Sequence, residues 1–191
     1  GEVIYQKTLP LDTPALLYDM SREYGTNIMT YLDKTVITPK KDDRYVELES
    51  RINKMEVREV ANFKSFVNFP VTKCLMVGDG DYLAEVEQKV KARLGGRLSV
   101  LRSEPFFLEV MPQNIDKAYS LGKLLEHLGL DREQMVACGD GFNDRSMIEF
   151  AGLGVAMANA QEPVRSAADH VTASNDEDGV AMVVEGFILG E

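Results

Sequence analysis

The chain has 191 residues and a formal net charge of −10, with 45% hydrophobic and 27% charged residues. This length suits one large domain or two small ones, and the composition is that of a soluble globular protein. The acidic balance argues against nucleic acid or an anionic membrane surface as a partner, but it does not exclude phosphate ligands, because local geometry can override net charge.

The predicted elements before residue 111 are mixed in type. In chain order they are a strand over EVIYQKTL, a helix over LDTPALLYDMSREYG, a strand over NIMTYLD, a helix over DDRYVELESRINKM, a strand over KCLMV, a helix over YLAEVEQKVKARLGG, and the strand pair LSVLRS and FFLEVM. Groupings of one helix followed by strands indicate an α+β region.

After Pro112 the pattern becomes a regular alternation of helices and short apolar strands. The order is a helix over NIDKAYSLGKLLEHLGL, a strand over MVACG, a helix over DRSMIEFAG, a strand over LGVAM, a helix over EPVRSAAD, a short strand over HVTA and a closing helix over DGVAMVVEGFIL. Such alternation predicts a parallel sheet with flanking helices. We therefore expect an α/β protein with a boundary near residue 111.

The cysteines and the N-terminus bear on the cellular setting. Cys74 and Cys138 belong to no CxxC or Cys/His cluster, so we expect neither a zinc site nor a disulfide framework, and a cytoplasmic location fits best. The opening GEVIYQKTLP lacks the basic and apolar regions of a signal peptide. No apolar run is long enough to span a membrane, so we expect no membrane partner.

The hexapeptide GDGFND is the strongest candidate for a functional site. Asp140 directly follows the predicted strand MVACG, and ligands of open parallel sheets sit beyond the carboxyl ends of the strands. Gly139 and Gly141 would let the backbone turn sharply and approach a ligand closely. Asn143 and Asp144 fall where the next helix should begin, and the free N–H groups of a helix start attract anions.

A carboxylate beside a phosphate requires a hard cation between them, so this pattern predicts Mg²⁺ held by one or two carboxylates and by phosphate oxygens. The alternative is that the acids and the asparagine only cap a helix and the glycines only form a turn, and spacing alone supports it about equally well.

Lys117 adds a second observation. Asp116 is a candidate helix cap, which places Lys117 in the first turn of the following helix, where a cation opposes the helix dipole. Such a placement is mildly unfavourable unless an anion lies nearby. The alternative is a solvated lysine on a long flexible stem.

Together these segments resemble the C-terminal half of a haloacid dehalogenase-like (HAD) phosphatase, of the Cof-type branch with an α/β cap inserted in the core. MPQNIDKAYSLGKLLEHLGL and GDGFNDRSMIEFAGLGVAMANAQEPVRSAADHVTASNDEDGVA carry the resemblance closely over residues 103–191. The region before matches more loosely, through KCLMV and SEPFFLEVMP. The lysine helix, GDGFND and NDEDGVA are specific in combination, whereas GDG alone would be weak.

The resemblance implies a Mg²⁺-dependent hydrolase of phosphate monoesters that acts through an aspartyl-phosphate on a small phosphorylated metabolite, such as a sugar phosphate or a phosphorylated cofactor. It implies that Lys117 is catalytic and binds phosphate, and that Asn143 lies near the phosphate. It further implies that Asp140 holds the metal, and that Asp144 is a second acid that supports the metal site and catalysis.

The resemblance also implies a domain layout. Residues 1–9 would be a remnant of a core hairpin, residues 10–111 an α+β cap domain, and residues 112–191 the C-terminal half of a Rossmann-like HAD core.

The departure from the family pattern concerns the nucleophile, which the family carries in a DxD motif at the end of the first core strand. The DGD at residues 79–81 is not that motif, because it follows KCLMV in the cap-like region and leads into an amphipathic helix. We therefore expect the nucleophile to lie in a missing N-terminal segment of a longer enzyme, and the chain alone to be inactive. A shortened gene product that lost catalysis, acting as a noncatalytic phosphate-binding or interaction protein, is the alternative.

Two further stretches have competing interpretations. SNDEDGVA superficially resembles a calcium loop, but the start of a helix fits it better, because acids near that end favour the helix dipole. Phe63, Phe66 and Phe69 would either shape substrate selectivity in the cap or form its hydrophobic core, and we favour the core.

Overall fold

The computed structural model describes residues 2–190, and its internal contacts divide them into two compact units. One unit comprises residues 6–113, and the other comprises residues 2–5 together with residues 114–190. The divisions thus fall after residues 5 and 113, whereas the sequence predicted them after residues 9 and 111. The assignment of these units as cap and core stays a prediction.

The unit of residues 6–113 is built on a six-stranded sheet with strand order β3-β2-β1-β4-β6-β5. β2 and β3 are parallel, and every other neighbouring pair in this sheet is antiparallel. Its strands are β1 (Asn27–Leu32), β2 (Thr35–Thr38), β3 (Glu56–Glu59), β4 (Cys74–Val77), β5 (Leu98–Glu104) and β6 (Phe107–Pro112).

Helices cover both faces of this sheet, and the alternation of side chains along the strands explains why. In β4, Cys74 and Met76 are buried in a cluster with residues of α1 and α4, whereas Leu75 and Val77 are buried in a second cluster with residues of α2. A strand buried on both faces reads as a continuous apolar run, as CLMV does. The helices are α1 (Thr13–Glu23), α2 (Arg44–Asn53), α3 (Phe63–Phe66) and α4 (Gly80–Leu94).

The second unit contains a three-stranded parallel sheet of order β7-β8-β9. Its strands are β7 (Val136–Gly139), β8 (Leu153–Ala156) and β9 (His170–Val171). Its helices are α5 (Lys117–Leu128), α6 (Arg145–Phe150), α7 (Glu162–Arg165) and α8 (Gly179–Val183), which continues as a π-helix over Val184–Leu189. The chain is thus a mixed α/β protein with a parallel sheet and flanking helices. Among the described residues, none of the helices combines the length and the apolar character that a membrane crossing requires.

Most predicted elements are confirmed, but the strand predicted over EVIYQKTL is wrong. Residues 2–9 adopt no strand, and Leu9 makes one backbone hydrogen bond, from its N–H to the carbonyl of Val71. Alternating side chains alone do not make a strand, because a strand needs a partner ladder to satisfy its backbone groups. Two observed strands, β2 and β3, had not been predicted.

The aromatic segment of the first unit belongs to its core. Phe63 is fully buried, and Phe66 and Phe69 pack against the same apolar cluster. Phe63 also stacks on Tyr18 of α1, with ring centroids 5.6 Å apart. The packing agrees with the core interpretation of these three residues.

Candidate active site at the carboxyl ends of the parallel strands

The turn after β7 is tightly packed on itself. A 3-10 helix over Phe142–Asp144 follows the strand and runs directly into α6. Neither Gly139 nor Gly141 has a positive φ. A Cβ at Gly139 would lie 2.4 Å from the Cβ of Asp144, and one at Gly141 would lie 2.5 Å from Oδ1 of Asn143. Glycine is therefore required at position 139 by the space that the buried Asp144 occupies, whereas at position 141 the exposed Asn143 side chain could move away; neither position needs an unusual backbone conformation.

Asp144 is the buried centre of the turn, with 6% of its surface exposed. Its Oδ2 accepts hydrogen bonds from the backbone N–H groups of Asp140, at 3.1 Å, and Gly141, at 3.0 Å, and its Oδ1 accepts one from Lys117. Burial by itself would raise the pKa of Asp144, but the hydrogen bonds from Lys117 and from the two N–H groups outweigh it and lower the pKa. The carboxylate is therefore held in its charged form.

Lys117 is the first residue of α5, as the sequence predicts, and Asp116 caps the helix by accepting a 2.7 Å hydrogen bond from the N–H of Tyr119. The ion pair with Asp144 supplies the anion that this placement requires. The side chain of Lys117 remains 46% exposed, against 9% for Asp144. Since an ammonium carries three N–H donors, Lys117 keeps donors for a further anion.

Asp140 lies beyond the end of β7 and is exposed. Its Oδ2 accepts a 2.9 Å hydrogen bond from Nδ2 of Asn159, and Oδ1 of Asn159 accepts a 3.0 Å hydrogen bond from the N–H of Asn175. Asn159 follows β8, and Asn175 follows β9, so the side-chain amide of Asn159 links the segments beyond all three strands of this sheet, through the carboxylate of Asp140 and the backbone N–H of Asn175.

Asn159 and Asn175 were not predicted as site residues, although the strands that precede them were predicted. The rule that selected Asp140, a polar residue just beyond a parallel strand, would have selected these two as well.

Of the four predicted site residues, the structure brings Lys117, Asp140 and Asp144 into one hydrogen-bonded group. Asn143 is exposed beside them, and its side chain folds back over Gly141. Its side chain has no hydrogen-bonding partner within residues 2–190, so its predicted place near a phosphate stays a prediction.

The oxygen donors at this site suit a hard cation such as Mg²⁺. Asp144 already accepts three hydrogen bonds, whereas Oδ1 of Asp140 has no partner in the described part of the chain. The described residues contain no group of three or more acidic, histidine or cysteine side chains placed to hold a metal. Mg²⁺ is commonly bound by one or two carboxylates, with water and phosphate oxygens completing the shell, so these residues fit it as a partial ligand set.

Two acidic motifs elsewhere have structural roles. Asp79 caps α4 by accepting a 3.2 Å hydrogen bond from the N–H of Asp81, which accounts for the DGD stretch. Ser174 and Glu177 form a capping box around the 3-10 helix Asn175–Glu177, which accounts for the calcium-like SNDEDGVA stretch. Both observations agree with the interpretation of these motifs as helix starts.

A surface cavity of about 480 Å³ lies beside α5 and does not include Asp140 or Asp144. It is an open groove whose walls include Tyr119, Gly122 and Phe150. None of the four predicted site residues lines this groove.

The parallel strands and the helices between them define a mixed α/β protein with polar groups beyond the carboxyl ends of its parallel strands. The model of the haloacid dehalogenase-like hydrolase family matches residues 1–184, and the chain belongs to that family.

A crystal structure of a haloacid dehalogenase-like hydrolase from Bacteroides thetaiotaomicron superposes with a TM-score of 0.93 at 49% identity, covering 98% of this chain and 70% of that one. Two phosphatases of Bacillus subtilis are also similar in sequence, and both are named for 5-amino-6-(5-phospho-D-ribitylamino)uracil. YitU is 30% identical over an alignment 193 residues long, which covers 96% of this chain and 68% of YitU. YcsE is 42% identical over 113 residues, which cover 59% of this chain and 45% of YcsE.

Proposed function

We propose that the chain carries most of a Mg²⁺-dependent phosphomonoester hydrolase. The observation that carries this proposal is the ion pair of Lys117 with Asp144, which fixes a half-exposed ammonium beside the turn that presents Asp140. The family supports the hydrolase class, and the two relatives from B. subtilis are named as phosphatases.

Each residue has a distinct proposed role. Lys117 would hold the transferring phosphoryl group, and Asp144 keeps that ammonium in place through its own buried charge. Asp140 would hold Mg²⁺ through its free oxygen, and Asn143 would contact the phosphate. When bound, Mg²⁺ would neutralise charge on the phosphoryl oxygens, which is the usual contribution of a divalent cation in phosphoryl transfer.

The substrate class is proposed from the names of the relatives and from the small number of polar side chains in the candidate site. YitU and YcsE are named for a compound in which a phosphorylated ribityl chain is joined to a uracil. We propose a small phosphorylated metabolite for this protein, either a sugar phosphate or a phosphorylated cofactor, as its partner in the cytoplasm. Its net charge of −10 argues against nucleic acid in this role.

The nucleophile is proposed to come from a segment outside the chain, since residues 2–190 place no third carboxylate in this site. The chain alone should therefore not form an aspartyl-phosphate, and it should not turn over substrate. The matched part of YitU, 68% of its length, is compatible with a longer parent enzyme.

A panel of phosphate monoesters tests the proposal. The chain alone is assayed with Mg²⁺, and then the product of the coding sequence read upstream of Gly1 is assayed in the same way. We expect no turnover by the chain, and Mg²⁺-dependent release of phosphate once an upstream strand followed by DxD is included. Turnover by the chain alone would contradict the proposed origin of the nucleophile. An upstream sequence without such a motif would instead favour a noncatalytic phosphate-binding protein.

A further inference from the structure

Asn159 occupies a central position in the site, although the sequence pattern predicted no role for it. It lies beyond the end of β8, the middle strand of the three-stranded sheet in residues 114–190. Backbone hydrogen bonds fix the segment on both sides: the N–H of Met157 donates to Gly139 at 2.9 Å, and the N–H of Ala158 donates to Ala173 at 3.3 Å. Its side chain therefore projects from a backbone that is anchored to both neighbouring chain segments.

The orientation of the Asn159 amide is determined by its two partners. The N–H of Asn175 can only donate, so the amide atom facing it, at 3.0 Å, must be the oxygen Oδ1. The amide nitrogen must then face the carboxylate of Asp140, at 2.9 Å, where it donates to Oδ2. A flipped amide would oppose donor to donor at one end and acceptor to acceptor at the other.

We propose that Asn159 is a positioning residue that presents Asp140 to the cation. This inference rests on the proposed metal-binding role of Asp140. The hydrogen bond engages Oδ2 and restrains the plane of the carboxylate, and Oδ1 is left without a partner among residues 2–190. Carboxylates that bind metals are generally held by such outer hydrogen bonds, and the loss of one weakens metal binding by about 10- to 100-fold.

A purely structural role does not account for this arrangement. Asp140, Asn159 and Asn175 are all exposed, and exposed hydrogen bonds add little to folding stability because water competes for them. Their main physical effect is on the orientation of the carboxylate.

The N–H of Asn175 provides a matched pair of variants. Asn175→Ala keeps the backbone N–H that orients Asn159, whereas Asn175→Pro removes it. Proline is compatible with this position, because Asn175 is the first residue of a 3-10 helix, and Ser174 before it is extended, with φ −72° and ψ 169°. Asn159→Leu removes the amide itself at similar size.

The test measures binding of MnCl₂ to the chain by electron paramagnetic resonance, with free Mn²⁺ as the signal. We expect Asn159→Leu and Asn175→Pro to weaken binding by about 10- to 100-fold and Asn175→Ala to leave it unchanged. Unaltered affinity in both Asn159→Leu and Asn175→Pro would overturn the inference. If the wild-type chain bound no Mn²⁺ even with inorganic phosphate present to complete the ligand shell, the metal role of Asp140 would fail, and this inference would fail with it.

A second measurement needs no metal, and it separates failure of the positioning role of Asn159 from failure of the metal role of Asp140. The side-chain amide signal of Asn159 in a ¹⁵N–¹H spectrum should shift in Asp140→Ala and in Asn175→Pro, but not in Asn175→Ala. If the side-chain amide signal of Asn159 does not shift in Asp140→Ala, the positioning role is overturned, and the proposed metal site is unaffected. Dispersed backbone signals in the same spectra show that each variant is folded.

Discussion

Replacing Asp144 by Asn removes the buried charge of the site at nearly constant shape. In Asp144→Asn, the amide oxygen can still accept from the N–H groups of Asp140 and Gly141, but the amide nitrogen then faces the ammonium of Lys117, donor against donor. A hydrogen bond to a charged group contributes about 1.5–3 kcal/mol. Because Lys117 is 46% exposed and water can replace part of the bond, we expect a loss near the lower end of that range.

Hydrogen exchange of the backbone amides of β8 measures this loss within the unit that contains Asp144. A destabilisation of about 1.5 kcal/mol corresponds to exchange that is roughly 10-fold faster, if exchange follows opening of that unit. Glu149→Gln is the control, because Glu149 forms an exposed ion pair with Arg145 along α6, and such pairs contribute about 0.3–0.5 kcal/mol.

The difference in exchange rate between wild type and Asp144→Asn should depend on pH, and the direction of this dependence follows from the pKa of Asp144. Since the pKa of Asp144 is lowered in the folded state, its charge stabilises the fold above the ordinary value of 3.8, and this stabilisation is lost as pH falls through the lowered pKa. The gap between wild type and Asp144→Asn should be complete at neutral pH and should narrow below about pH 4. Equal exchange rates at neutral pH, or a gap that does not change with acid, would refute the reasoning.

Two further predictions concern packing and a buried polar pair. Gly139→Ala places a Cβ 2.4 Å from that of Asp144 and should destabilise the fold by about 1–3 kcal/mol. Gly122→Ala, in the interior of α5, should instead stabilise it by about 0.5–1 kcal/mol. Thermal melts in which Gly139→Ala is more stable than Gly122→Ala would contradict this. Tyr31→Phe removes the hydroxyl that donates at 2.5 Å to the buried Glu49, and it should lower the free energy of unfolding by about 1–3 kcal/mol. Hydrogen exchange of the β1 amides should become faster. Unchanged exchange would mean that water replaces the hydroxyl.

The start of α5 could be predicted because one residue, Asp116, caps it. The predicted helix ran on to Leu130, whereas α5 ends before Gly129, whose φ of 67° is a conformation that favours glycine. Strand prediction failed where pairing, and not composition, makes the strand. β3 has the sequence EVRE with Val57 as its one apolar residue, too little to predict a strand, yet it pairs in parallel with β2 through four consecutive residues.

The candidate site divides in the same way. Lys117, Asp140 and Asp144 were predictable because each stands in a local pattern of cap, strand end or helix start. Asn159 also follows a predicted strand, but its contact with Asp140 was not predictable, because that contact spans 19 positions and depends on the parallel pairing of β7 with β8. Side chains that act together across strand ends leave no spacing signal within one segment.

The contact of Gly139 with Asp144 has a consequence for protein engineering. Because the Cβ of Asp144 already fills the space where a side chain of residue 139 would begin, the two positions are constrained as a pair. A Glu at position 144 would move the carboxylate past the two backbone N–H donors, and its Cβ would still fill the space beside residue 139. An engineer who wishes to retune this turn should therefore vary both positions in one library, because single-site scanning would sample only incompatible halves of the pair.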